Sequence, residues 1–346
     1  MKNEIVFGTV VTLNYLHFAE IVYDTLCKHN SNFDFQCLVI DLEINTDSNI
    51  IKNCPFPLLT LNDIMIENVE DMKIYFTPFE LCNALKPSML NHLLFEDNYE
   101  KAIYLDADLF ITGSFDEVYD KLNLYDFILT PHINKPIVLD GKEPCEKDFV
   151  QYGIFNGGFY AFKKSETSRE ILNWLISRNE IYCFNQPHKG MFVDQNLLMM
   201  AVNLWMNSFY CLRNDGYNVC YWNLQERKIT KNGNNYFAND KKVIFFHLSG
   251  FELEKPKKLS KWDNRTNIKN EKAIQSLIKE YSTCINNSKL RNNSVYKFNM
   301  YKNIRLTSFK RKYYFKTKKI SKMPDVFFKI YNILKGIKDG SLILDD

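Results

Sequence analysis

Paired cysteines are missing from this 346-residue chain. Its nine thiols, at positions 27, 37, 54, 82, 145, 183, 211, 220 and 284, form no CxxC and no regular spacing. That scatter argues against a disulfide framework or a structural zinc site and reads as reduced thiols in a cytosolic protein. Long hydrophobic runs are missing as well. The longest uncharged stretch, Asn196 to Leu212, is interrupted by Asn203, Asn207 and Ser208, so no membrane span is expected. No secretory signal is expected either, because Lys2 and Glu4 precede the apolar Ile5–Leu13 run and no small-residue cleavage site follows. No internal repeat or low-complexity block stands out. The composition is that of a globular protein, 46% apolar and 25% charged, which excludes disordered, collagen-like and coiled-coil classes. A chain of this length buries most of its unfolded surface without covalent staples.

A near-balanced charge of +3 conceals two opposite parts. From Asn286 to Lys338 there are 15 Lys and Arg against one acid, Asp325, a formal +14, so the remainder carries −11. Aromatic residues are interleaved with those cations, among them Tyr296, Tyr301, Phe309, Tyr313, Phe315 and Phe328. Cations beside rings suit an anionic membrane surface, with each Lys or Arg worth about 1 kcal/mol. Nucleic acid is a weaker alternative, and a solvated extension is the plain one. Residues 325–335 show helical periodicity with lysines outside an apolar stripe, which favours the membrane surface.

Glu4 to Val10 reads as a first buried strand and Leu16 to Lys28 as the helix after it. Strands are expected at 35–41, 57–61, 101–105, 109–111, 158–162 and 242–246, with helices near 167–177 and 193–202. Strand and helix alternating in this way indicate a doubly wound α/β sheet. Thr77-Pro78-Phe79-Glu80 carries a capping box with proline at the first helical position, and Pro87 divides the helix that follows. Ser114-Phe115-Asp116-Glu117 predicts a second capping box, and residues 131–149 a surface loop. The one composition shift, near residue 285, and the end of the last motif give two regions: a domain over 1–265 and a basic extension over 266–346.

Asp106-Ala107-Asp108 ends the apolar strand Ile103-Tyr104-Leu105. Open α/β sheets bind ligands beyond the carboxyl ends of their strands. In extended chain, residues two apart face the same side, so both carboxylates can address one point. Two such carboxylates repel unless a cation lies between them, and hard oxygen ligands favour Mg²⁺ or Mn²⁺. A pair of exposed turn aspartates is the competing reading. A haloacid-dehalogenase-like phosphotransferase would want the pair on the first strand, and here Phe110 stands where that class has Thr or Val. A metal-dependent nucleotidyl- or phosphotransferase, or a non-catalytic surface-binding module, are the rival classes.

With Tyr104-Leu105-Asp106-Ala107-Asp108, three later stretches complete a pattern: Phe155-Asn156-Gly157-Gly158, Val193-Asp194-Gln195-Asn196-Leu197-Leu198, and Phe246-His247-Leu248-Ser249-Gly250 followed by Lys255-Pro256. In this order, over roughly residues 4–262, they resemble glycosyltransferase family 8, the group of glycogenin and bacterial lipopolysaccharide galactosyl- and glucosyltransferases. The resemblance implies a GT-A-like fold, a Rossmann-like mixed sheet flanked by helices. It implies Mn²⁺ (or Mg²⁺) on Asp106, Asp108 and His247, bridging the diphosphate of a UDP-sugar. Ala107, Gly157, Gly158 and Gly250 fall within the same motifs. Asn156 and Asp194 would hold sugar hydroxyls, Gln195 would lie beside the anomeric carbon, and Lys255 would pair with phosphate. Thr9 and Tyr15 would border the base. The family's HxxGxxKP spacing is two residues longer here, which makes Lys86 a second candidate for the phosphate charge.

Read from the residues alone, a core histidine is the favoured reading of His247, and Asn156 could be a turn residue and Asp194 a helix cap. The loops 213–218 and 221–223, rich in aromatics and amides, are candidates for stacking on an acceptor. Trp262 reads as a packing anchor. The resemblance implies transfer with retention of configuration to a glycan, glycolipid or protein acceptor, as in lipopolysaccharide or surface polysaccharide synthesis. If the reaction inverts instead, Asp194 is the candidate base.

Overall fold

The structure is a computed structural model describing residues 2–42, 48–64, 66–255, 258–291 and 308–318. It divides into two compact units, Met1–Ile66 with Cys82–Tyr296, and Glu67–Leu81 with Lys297–Asp346. The strands are β1 (Ile5–Val11), β2 (Phe33–Val39), β3 (Leu58–Leu59), β4 (Lys101–Leu105), β5 (Leu109–Ile111), β6 (Phe127–Pro131), β7 (Phe155–Lys163), β8 (Asn185–Gln186), β9 (Met191–Phe192), β10 (Phe209–Cys211), β11 (Ile229–Asn232), β12 (Asn235–Ala238), β13 (Lys241–Lys242) and β14 (Phe245–His247). The helices are α1 (Leu16–His29), α2 (Ser48–Asn53), α3 (Val69–Tyr75), α4 (Pro78–Ala84), α5 (Lys86–Asn91), α6 (Asp116–Leu122), α7 (Glu146–Tyr152), α8 (Glu166–Tyr182), α9 (Gln195–Leu204), α10 (Lys272–Asn287) and α11 (Ser308–Thr317).

The larger unit is a mixed α/β domain. Its seven-stranded sheet has the order β10-β6-β7-β4-β1-β2-β3, parallel except for β7, which runs antiparallel to both β4 and β6. Helices cover both faces. Phe7, Ile103, Leu105, Ile128, Phe159 and Ala161 face a core with Leu16, Ala19, Val22 and Leu26 of α1 and Val118 and Leu122 of α6. Those α1 positions recur every three or four residues, one stripe of a helix. On the opposite face Gly8 admits Met89 of α5, since a Cβ there would lie 2.8 Å from the Met89 Cε.

Chain order reverses at β1: β2 and β3 lie on one side of it and β4 on the other. The crevice beyond β1 and β4 is therefore the topological switch point, where open α/β sheets take their ligands. Because β7 is antiparallel, its amino end, Phe155–Gly158, lies at that same edge. The β6–β7 register jumps there: Leu129 pairs with Tyr160, but Thr130 pairs with Asn156. This irregularity leaves Gly157, Gly158 and Phe159 without partners in β6, as bulges beside functional sites do.

The Thr77–Glu80 capping box is formed, with Thr77 N donating to Glu80 Oε2 (2.7 Å) and Glu80 N to Thr77 Oγ1 (3.2 Å). The Ser114–Glu117 box is not. Phe115 precedes α6 and its N–H donates to Asn30 Oδ1, while Glu117 Oε2 accepts from Asn214 Nδ2 (2.7 Å). Within 131–149, expected as loop, α7 begins at Glu146. Helix α10, placed by sequence in the extension, buries Ile274, Leu277, Ile278 and Tyr281 in a cluster with Phe246, Leu248 and Tyr236. Glu20 of α1 holds the chain beyond α10 by accepting from the Ser288 hydroxyl and from Leu290 N.

In the smaller unit, Tyr314 OH donates to Asp71 Oδ1 (2.9 Å), Lys318 pairs with Asp71 Oδ2, and Arg311 pairs with Glu80 (3.3 Å). Residues 325–335, expected as a surface helix, lie outside the described residues. Among the described residues no helix is long and apolar enough to cross a membrane. Leu277→Ala is expected to lower unfolding free energy by about 2–5 kcal/mol in chemical denaturation, the cost of a core cavity. A loss under about 1 kcal/mol would separate α10 from the core.

Candidate active site

Asp106 and Asp108 follow β4 in a turn, not in the extended chain the sequence suggested: Leu109 N donates to the Asp106 carbonyl at 3.3 Å. Their carboxylates converge through that turn. β5 then pairs antiparallel with β14, setting Leu109 opposite His247 and bringing the imidazole to Asp108. His247 Nε2 lies 3.1 Å from Asp108 Oδ1. One ligand atom from each of Asp106, Asp108 and His247 falls within 4.8 Å of the others. Oxygen, oxygen and imidazole nitrogen make a donor set suited to a divalent ion such as Mn²⁺.

Lys86, the first residue of α5, supplies the site's buried cation. It is 2% exposed, and its Nζ lies 3.0 Å from Asp106 Oδ1 and 3.8 Å from Asp194 Oδ2, while donating to the Gly157 carbonyl at 2.7 Å. Burial alone would lower its pKa, but Asp106 and Asp194 outweigh that and raise it. Tyr104 OH donates to the same Asp106 oxygen at 2.8 Å. Asp106 Oδ1 is thus doubly bonded within the protein. Asp108 is penalised by burial, yet the neighbouring His247 holds its carboxyl below the usual range. His247 is in turn raised, because Asp108 overcomes the effect of burial on the imidazole.

Asp194 is not a helix cap. It precedes α9 without a side-chain cap bond, and Val193 before it has φ +43°, a conformation costing a β-branched residue on the order of 1–3 kcal/mol. The carboxylate is 1% exposed and neither oxygen has a hydrogen bond. It faces Gly157, where a Cβ would meet its oxygens at 3.0 and 3.1 Å. A Cβ on Gly158 would lie 2.5 Å from His247 Cε1. Close approach therefore requires glycine at 158 and leaves a tight fit for any Cβ at 157.

Asn156 and Gln195 are 5% and 6% exposed and bond to each other, Asn156 Nδ2 to Gln195 Oε1 at 3.1 Å. Gln195 Oε1 also accepts from Gly157 N (2.8 Å), and its Nε2 donates to the Tyr152 carbonyl (2.7 Å). Asn156 Nδ2 also approaches His132 Nε2 at 3.2 Å. Burial drops His132 to about 3, so it is a neutral acceptor. Ala107 is buried at the turn, and Thr9 is fully buried in β1 with its hydroxyl unbonded. Tyr15 is half exposed, and its phenol is raised by burial and by the Asp108 charge.

Other expected residues lie elsewhere. Lys255 is on the surface, paired with Glu252 at 3.1 Å. Gly250 has φ +71° and packs under Trp262, whose Cδ1 would lie 2.5 Å from a Cβ there. The proposed acceptor loops are largely interior: Tyr217, Asn218, Trp222 and Asn223 are each 5% exposed or less. A cavity of about 400 Å³ between Tyr23, Asp34, Phe56 and Tyr99 contains none of the site residues. Sequence reasoning did not single out Tyr104, His132 and Asn218 as site residues; the last appeared only within an acceptor loop.

No protein-family model matches the chain. It is 27% identical over 252 residues to YfnF of Bacillus subtilis (strain 168), covering 71% of this chain and 82% of that one. YfnD of the same strain is 22% identical over 258 residues, covering 71% and 78%. Both are uncharacterized proteins. Among solved structures, the chain is similar to the galactosyltransferase LgtC bound to donor and acceptor sugar analogues. The identity is 16%, the TM-score 0.47, and the match covers 82% of this chain and 96% of that one. It is also similar to the glycosyltransferase GlyE of Streptococcus pneumoniae TIGR4, at 17% identity and TM-score 0.43. That match covers 82% of this chain but spans less than two thirds, 63%, of GlyE.

Burial raises Asp194 from 3.8 to about 7, Lys86 pulling it down and Asp106 pushing it up. The folded protein therefore holds that proton more tightly than the unfolded chain, and stability falls as pH climbs from about 4 to about 7. Asp194→Asn removes this penalty. Its Tm relative to the parent is expected to rise between pH 5 and pH 8; a constant difference would contradict the buried acid.

Proposed function

We propose that the protein is a metal-dependent glycosyltransferase, resembling family 8, that moves a hexose from a UDP-sugar to a glycan, glycolipid or protein acceptor. One observation carries this reading: the Asp106–Asp108–His247 donor set stands at the switch point beside a third carboxylate, Asp194, buried without a hydrogen bond. A buried carboxylate whose oxygens accept no hydrogen bond is costly and calls for a ligand that donates to it, as sugar hydroxyls do.

In this reading Asp106, Asp108 and His247 hold Mn²⁺ or Mg²⁺. The ion supplies Lewis-acid stabilisation to the leaving diphosphate. Lys86 offsets part of the negative charge of Asp106 and Asp194 when the donor departs. Asp194 and Asn156 take the donor sugar's hydroxyls, and Gly157-Gly158 let the backbone approach it closely. Gln195 fixes that glycine pair from beside the reacting face, while Thr9 and Tyr15 border the base. We assign retention of configuration, in which the donor's phosphate takes the acceptor proton and no carboxylate base is needed. Lipopolysaccharide or surface polysaccharide synthesis is the proposed setting, in the cytoplasm at the inner membrane face, with the basic extension on anionic lipid.

Asp106→Asn and Asp108→Asn are each expected to cut Mn²⁺-dependent UDP-hexose hydrolysis and transfer at least about 100-fold. Lys255→Ala should stay within about twofold of the parent. Full activity in both aspartate variants would refute the metal assignment. Truncation after residue 291, which keeps α10 and the Glu20 contacts of Ser288 and Leu290, is expected to weaken sedimentation with anionic vesicles while sparing UDP-sugar hydrolysis. Unchanged vesicle binding would remove the tail from the proposal.

A further inference from the structure

We infer that Asn218 is the positioning residue that fixes which nitrogen of His247 is turned to the metal position; this rests on the metal reading above. Asn218 is fully buried, and its Oδ1 lies 3.0 Å from His247 Nδ1. Its orientation is set from three sides. Its Nδ2 lies 3.1 Å from Thr130 Oγ1, which leaves Oδ1 for the imidazole. Its carbonyl accepts from Asn223 Nδ2 at 2.9 Å, and the same Asn223 amide also donates to the His132 carbonyl at 3.1 Å. Its φ of +53° is a left-handed conformation that Asn tolerates better than most residues.

The imidazole has little freedom of its own. His247 N donates to the Val219 carbonyl at 2.9 Å, so the backbone beside Asn218 and the backbone of His247 are tied together. Trp222 stands edge-on to the ring with centroids 5.2 Å apart, and Gly158 closes the other approach at Cε1. An amide oxygen only accepts, so Nδ1 carries the proton that Asn218 receives. In the neutral ring Nε2 then presents a lone pair at 3.1 Å from Asp108 Oδ1. Two lone-pair carriers at that distance repel unless a proton or a metal ion is shared between them. Histidine ligands are commonly held by such a bond from the other ring nitrogen. The opposite tautomer would put Nε2–H on Asp108 and give a self-contained pair with no need of an ion. Asn218 selects between these two states.

The test is Mn²⁺ titration of the intact protein without donor, read by electron paramagnetic resonance of free Mn²⁺. Asn218→Ala is expected to weaken Mn²⁺ about 10- to 100-fold. Asn218→Asp, which keeps an acceptor at the same reach, should restore binding to near the parent value. Parent binding that requires Asp106 and Asp108, with Asn218→Ala unchanged, would overturn the positioning role and leave the metal reading standing. A parent that binds no Mn²⁺ would overturn both. A second readout does not depend on the variants folding: nitrogen-15 spectra of histidine-labelled parent protein loaded with Cd²⁺. These should show the proton on Nδ1 of His247 and the metal on Nε2, and metal on Nδ1 overturns the inference.

Discussion

One buried ammonium holds the centre of this molecule together. Lys86 stands among Asp106, Asp194 and the carbonyl of Gly157, in a place where an unpaired charge of either sign would be expensive. Its position is dictated by α5, whose face packs against β1 and β4, so the sheet, the helix and the carboxylates are mutually constrained. Charge around it is nevertheless unbalanced. With all three ionised, Asp106, Asp108 and Asp194 outnumber Lys86, and protonating His247 still leaves one negative charge in excess. A divalent ion relieves the same imbalance without that proton, which is why donor atoms and buried acids occur in one place.

The second constraint is steric. His247 approaches the β7 backbone so closely that only glycine fits at 158, and Asp194 leaves a tight fit at 157. The register jump in β6–β7 opens this stretch, and the bonds from Gln195 to Gly157 N and to the Tyr152 carbonyl close it from behind. Val193, strained at positive φ, turns Asp194 inward where an ordinary helix start would turn it to solvent. These features raise the cost of the fold locally and leave the carboxylate without a hydrogen bond.

Much of the architecture was legible in sequence because local rules agreed with the packing. The apolar runs at β1, β2, β4 and β7 and the stripe of α1 marked the sheet and its first helix, and Thr77 with Glu80 announced a helix start that is formed. The Asp-Ala-Asp pair was visible at a strand end, although a turn, not strand alternation, brings its carboxylates together. What escaped depends on distant partners. Glu117 left its local cap for Asn214, and Lys255 was favoured by motif order while Lys86 reached the aspartates through tertiary packing. Asn218 precedes His247 by 29 residues, and no spacing rule joins an amide in one loop to an imidazole on a later strand. The charge shift near residue 285 marked a change of composition, whereas α10 before it belongs to the core by its buried stripe.

The most direct measurement is anomalous scattering from crystals grown with manganese chloride and uridine diphosphate. The account predicts a single strong manganese peak at bonding distance from carboxylate oxygens of Asp106 and Asp108 and from Nε2 of His247, with diphosphate oxygens completing the shell. A peak elsewhere, or bound nucleotide with no metal between it and the two aspartates, would contradict it.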